Sequence, residues 1–185
     1  GWQDQYAAVF GGFNFMEFRK KRNEINTLRV PEDVIAEMED RMILCYSGES
    51  HPVNSIHKKQ KKRMQERDIT ERARRAMQLA YDMKSSLLRG EVTALGQQLH
   101  EAWSIKKEFS EGISNSDLDR IYDHARSNGA VGGKILGAGG GGYFLFITEQ
   151  NRKHDLTSSL REIDLETRDF KFVDSGLYSW QAAPN

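Results

Sequence analysis

The amino-acid sequence predicts an α+β domain in which helices cover a small sheet, and three observations predict it. Short apolar or alternating runs near both ends read as strands. A long central stretch keeps a 3.6-residue apolar period, and a strand, a helix and a further strand follow a glycine-rich loop. Strands and helices therefore mix without strict alternation, which argues for helices on one face of the sheet.

Taken in order, Phe13 to Phe18 alternates apolar and polar residues. With Ile25 to Val30 beyond the polar Arg19-Lys20-Lys21-Arg22-Asn23 turn region, it reads as a hairpin. Arg41 to Tyr46 is a third strand. From about Val53 to Lys107 the period is helical: Ala73, Ala76, Met77, Ala80, Leu87 and Leu88 share one face, then Val92, Leu95, Leu99, Ala102 and Trp103 share another. Two or three antiparallel helices are expected, with Gly90 as a helix stop. Ser116 with Asp119 makes a capping-box pattern for a helix lined by Leu118, Ile121, Tyr122 and Ala125 and ended by Gly129. A strand at Tyr143 to Thr148, a helix at Asn151 to Ile163 and a strand at Phe170 to Val173 close the pattern.

The totals exclude several function classes. The 185 residues suffice for a proper core, in one domain or two small ones. The 27 basic and 27 acidic residues cancel, so neither nucleic acid nor a membrane is expected as a partner. The basic cluster from His57 to Arg67 reads as a solvated helix face rather than a phosphate or RNA contact. No apolar run is long enough to span a bilayer and the first residues do not form a signal peptide, so a cytoplasmic location is expected. Cys45 is the one cysteine, which excludes an internal disulfide and a thiolate cluster; it is expected to be an inert core thiol. The five histidines show no H-x-x-x-H pair, and no metal site is expected from this chain.

The run from Gly132 to Phe146 carries the strongest signal. Glycines reach positive φ and let consecutive N–H groups converge on an anion, so Gly137, Ala138, Gly139, Gly140 and Gly141 read as a phosphate-binding loop. A tight turn where two backbones cross is the equal alternative. The pattern is neither GxxxxGK[ST] nor GxGxxG, both of which follow a strand and open a helix. Lys134 reads either as a phosphate contact or as a solvated lysine at a strand edge.

Two separated blocks carry a family resemblance. Gly1-Trp2-Gln3-Asp4-Gln5-Tyr6-Ala7-Ala8-Val9-Phe10-Gly11-Gly12-Phe13-Asn14-Phe15 resembles the G-x-x-D-Q segment of GHMP kinases, and Gly132 to Phe146 resembles their third, Gly-rich motif. Between them, Trp103, Lys106-Lys107, Gly112-Ile113-Ser114-Asn115, Asp119-Arg120-Ile121-Tyr122 and Gly129-Ala130 are similar to the heptose 7-phosphate kinase branch, with L-fucokinases as the runner-up. The resemblance implies a ferredoxin-like C-terminal domain, a mixed sheet covered by helices, over 31–185, with 1–30 a strand/hairpin remnant of the catalytic half. It implies transfer of the γ-phosphate of ATP to an anomeric sugar hydroxyl, with a sugar or sugar phosphate and ATP as partners and a homodimer left open. A catalytically silent metabolite-binding module is the other option.

By the same resemblance Asp4 is the candidate base, Gln3, Gln5, Gly12, Ser47 and Gly48 touch substrate, and the glycine loop lies against the nucleotide phosphates or braces the loop that does. Asp4 also reads as a helix N-cap. Two positions depart from the family pattern: Trp2, where relatives more often have lysine, and His51, where they tend to have arginine. Both bear on sugar selectivity. The family's P-x-x-x-G-L-G-S-S-A loop is absent from these residues, and Mg2+ ligands are expected in the segment that carries it. The chain is thus expected to be a C-terminal fragment, weakly active or inactive alone.

Overall fold

A computed structural model describes residues 2–48, 67–109 and 112–180, with backbone alone at 67–69. The chain opens with helix α1 (Gln3–Phe10), which ends where Gly11 takes a φ of 64°. Strands β1 (Phe13–Phe18) and β2 (Asn23–Leu28) then pair antiparallel, Phe13 opposite Leu28 and Phe18 opposite Asn23. The expected hairpin is present, with its second strand two residues earlier than the expected Ile25 to Val30. Pro31 opens helix α2 (Glu32–Arg41), which the sequence reading lacks; acidic Glu32 and Asp33 and basic Arg41 suit the helix dipole. Arg41, expected to begin a strand, is the last residue of α2, and β3 is Met42–Tyr46.

Two long helices follow, α3 (Arg67–Arg89) and α4 (Val92–Lys107), separated by Gly90 at a φ of 72°. The part of the expected helical stretch before residue 67 lies outside the described residues, as do the basic cluster up to residue 66 and His51. Helix α5 (Ser116–Ser127) is capped by Asn115, whose side chain accepts from the Leu118 N–H at 2.8 Å. Asn115 thus takes the role expected of Ser116, and Asp119 is left to bind Ser114 and Lys107. Strands β4 (Ala130–Ile135) and β5 (Tyr143–Thr148), helix α6 (Lys153–Glu162) and the two-residue strand β6 (Thr167–Arg168) complete the order. Phe170 to Val173 form no strand: Phe170 and Phe172 use their alternation to pack onto the core rather than to extend a ladder.

The second sheet runs β4-β5-β3-β6, and every pairing is antiparallel where a mixed sheet was expected. Each crossover skips one place, so β5 separates β4 from β3 and β3 separates β5 from β6. This is the split β-α-β arrangement of ferredoxin-like domains. Strand β5 buries residues of both faces, not one. Phe144 and Phe146 join Trp103 with Leu118 and Tyr122 of α5 and Leu156 and Leu160 of α6. Ile147, on the opposite face, joins Val34 and Met38 of α2 and Val92, Leu95 and Leu99 of α4. Arg41 links the layers while buried: its guanidinium donates to the Thr148 carbonyl at 3.0 Å, Glu37 at 2.5 Å and Thr93 at 2.8 Å.

Candidate functional site

The glycine-rich run divides into two parts with different tasks. Gly132 and Gly133 are strand residues. A Cβ on Gly132 would stand 2.0 Å from the Gly96 carbonyl oxygen of α4, and one on Gly133 would stand 2.5 Å from the Leu145 oxygen of β5. Their lack of a side chain is a packing requirement between β4 and its neighbours.

The loop proper is 136–142, where Gly137, Gly139, Gly140, Gly141 and Gly142 have φ between +74° and +136°. It is braced from three sides. The Gly140 N–H donates to the Ile113 carbonyl at 2.9 Å, and a Cβ on Gly139 would meet Ile113 at 3.0 Å. The Gly142 N–H donates to Ser47 Oγ at 3.1 Å, while the Ser47 N–H donates to the Gly142 carbonyl at 2.9 Å. From the end of α4, Lys106 Nζ donates to the Gly137 carbonyl at 2.6 Å and the Ile135 carbonyl at 3.3 Å. Ile113 is itself held by its neighbours, because Ser114 Oγ donates to Asp119 at 2.9 Å and Lys107 pairs with Asp119 at 3.0 Å.

These bonds leave the amides of Gly137, Ala138, Gly139 and Gly141 donating to no other described residue. Gly139 is buried. A buried amide without a protein acceptor calls for one from outside, and several such donors in a positive-φ loop suit an anion.

Sequence reasoning gave Lys106 no role. Its signal is position: after Leu99 and Trp103 it continues the apolar stripe of α4, where a lysine has a reason to be. Burial, with Lys134 nearby, lowers its pKa to about 8. Lys134, a candidate phosphate contact, instead lines a groove between α3 and α4, and burial lowers its pKa too. Cys45 is fully buried and desolvation pushes its thiol up to about 12, as an inert core thiol requires.

The other candidates sit in a second group. Asp4 is the second residue of α1 and exposed; Trp2 holds the N-cap position, so Asp4 belongs to the first turn and is not the cap. Gln3 and Gln5 flank it, both exposed, and α1 buries no residue. The helix is held by an aromatic edge, where Tyr6 stacks on Phe10, tilts on Phe18 and accepts from Asn23 at 3.0 Å. Trp2, 66% exposed, meets Phe18 edge-on. The Gly12 N–H donates to the Val173 carbonyl at 2.9 Å, and the Leu177 N–H to the Ala8 carbonyl at 2.9 Å. Ser47 and Gly48 stand apart from this group, beside the loop, on a cleft of about 280 Å3 with Asp117 and Arg120 at its rim.

Residues 83–163 match the family described as GHMP kinases C terminal. The chain is 38% identical over 182 residues to a D-glycero-alpha-D-manno-heptose 7-phosphate kinase of Campylobacter jejuni, covering 98% of this chain and 54% of the relative. It is 26% identical to a bifunctional fucokinase/GDP-fucose pyrophosphorylase of Arabidopsis thaliana, over 97% of this chain and 17% of that protein. Among solved structures, a D-glycero-D-manno-heptose 1-phosphate kinase from Bacteroides thetaiotaomicron superposes with a TM-score of 0.73 at 29% identity, covering 100% of this chain and 50% of its own. The chain thus spans about half the length of the Campylobacter relative and of the solved Bacteroides kinase.

Proposed function

With residues 83–163 a GHMP kinase C-terminal domain, we propose that the chain is part of a sugar kinase that transfers the γ-phosphate of ATP to the anomeric hydroxyl of D-glycero-D-manno-heptose 7-phosphate. The observation that carries the reading is the braced glycine loop with four amides open to an acceptor. The heptose assignment is supported by the 38% identity to the Campylobacter kinase.

Phosphoryl transfer asks a protein to position groups and to neutralise charge spreading over the transferred oxygens. The amides of Gly137, Ala138, Gly139 and Gly141 donate to phosphate oxygens, and their fixed directions cost no reorganisation during transfer. Ile113, Ser47 and Lys106 hold that loop in shape. Asp4 accepts the proton of the attacking hydroxyl, with Gln3 and Gln5 orienting the sugar. Ser47, Gly48 and Arg120 place a polar cleft beside the loop for the acceptor, and a guanidinium there suits a sugar phosphate. Among the described residues no three His, Cys, Asp or Glu side chains come together as a metal-holding group. The Arabidopsis relative favours L-fucose as the second acceptor.

The test replaces the matching part of the Campylobacter kinase with this chain and assays ATP turnover against heptose 7-phosphate, L-fucose, galactose and mevalonate. Turnover with heptose 7-phosphate is expected. Turnover with L-fucose alone moves the assignment to the runner-up, and a folded, ATP-binding chimera that phosphorylates none of them overturns the reading.

A further inference from the structure

Helices α3 and α4 form a hairpin and leave between them a groove of about 300 Å3, floored by β4. Its walls are apolar, with Leu79 and Met83 on α3 and Ile105 and Phe109 at the end of α4. Two cations stand in it, Lys106 and Lys134. Neither belongs to an ion pair among the described residues, and Lys134 hydrogen-bonds no described residue. Acidic groups of α4, its C-cap and α5 near this end are engaged elsewhere: Glu101 with Arg75, Glu108 with Arg72 and Asp119 with Lys107.

Burial disfavours the charged form of both lysines. A sheltered ammonium without a counter-charge is costly, and two of them in one apolar groove are costlier. An ammonium has three donors. Among the described residues Lys106 directs two to the Ile135 and Gly137 carbonyls and keeps one, while Lys134 directs none.

We propose that the α3–α4 groove is a binding site for a small amphiphilic anion, its carboxylate, sulfonate or phosphate head between Lys106 and Lys134 and its apolar body along Leu79, Met83, Ile105 and Phe109. The charge complementarity selects an anion, and the lining selects one with a hydrocarbon part. The volume lies at the lower end of the range of small-molecule sites. The site is separate from the open amides of the glycine loop and from Asp4. Lys106 connects it to the loop, since the same ammonium holds the Gly137 carbonyl.

The experiment titrates the 15N-labelled chain with octanoate, octanol and acetate and follows backbone amide shifts. Octanoate is expected to move amides of 76–83, 102–109 and 134. It should bind about tenfold or more tightly than octanol, which has the body without the charge, or acetate, which has the charge without the body. Lys134→Met should lose about tenfold in octanoate affinity and leave octanol unchanged. Equal affinity for octanoate and octanol on the unaltered chain, shifts confined to α1 and the exposed 173–180 segment, or no shift at all overturns the proposal without recourse to the variant.

Discussion

Lys106 donates to the carbonyls of Ile135 and Gly137 at the point where β4 passes into the glycine loop. Lys106→Met keeps most of the side-chain volume and removes both donors. Amide exchange at 136–142 should therefore rise while the core of β5 stays protected, as hydrogen-exchange mass spectrometry would show. The pH dependence has a definite sign. Lys106 is held at about 8 in the folded chain against an ordinary 10.5, so between those values the unfolded chain binds more protons and stability rises with pH. Below pH 8 the penalty of the sheltered charge is fully present. Urea unfolding of parent and variant from pH 7 to 10.5 should show the parent gaining relative to Lys106→Met across that window. Because Cys45 and Tyr122 are common to both proteins, their opposite trends cancel in the difference. Gly140 at a φ of 78° makes a further prediction: Gly140→Ala should cost roughly 1 kcal/mol or more by thermal unfolding.

At the scale of elements, β4 and α4 approach so closely that Gly132 and Gly96 leave no room for a methyl group. Gly132→Ala should lower stability by about 2–4 kcal/mol. That is a melting-point drop of roughly 5–15 °C for a chain of this size, and an unchanged melting point would contradict the packing. The same closeness explains why β4 is hard to read in the sequence: glycine is a poor strand former, and Gly132-Gly133 looks like loop until the neighbours are known. Helix α2 escapes for another reason. Only Val34, Met38 and Arg41 are buried over its ten residues, and one of the three is charged. Phe170 and Phe172 mislead in the opposite direction, since alternation marks side chains that pack together and not only strands that pair. The helices α3, α4 and α5 are legible because long amphipathic periods have one ordinary cause.

For the whole molecule, the order of elements and the two-sided burial of β5 build a ferredoxin-like layer that seats the glycine loop at one end of the sheet. The glycine loop itself is legible from composition alone, since so many adjacent glycines ask for positive φ or close approach. What braces it is not, because Ile113, Lys106 and Ser47 lie 27, 31 and 95 residues from the loop residues they bind and reach them only through the fold. The G-x-x-D-Q setting is what makes Asp4 a proposed base, whereas its place in the first turn of α1 emerges only with the helix bounds.

In the proposed reaction Asp4 acts as the base for a hydroxyl whose phosphate donor lies on the braced loop. The direct measurement is kcat and KM for heptose 7-phosphate in the chimera that carries this chain, with Asp4 and with Asp4→Asn. A fall in kcat of about 10²-fold or more with little change in KM is predicted. An unchanged kcat in a folded Asp4→Asn protein would contradict it.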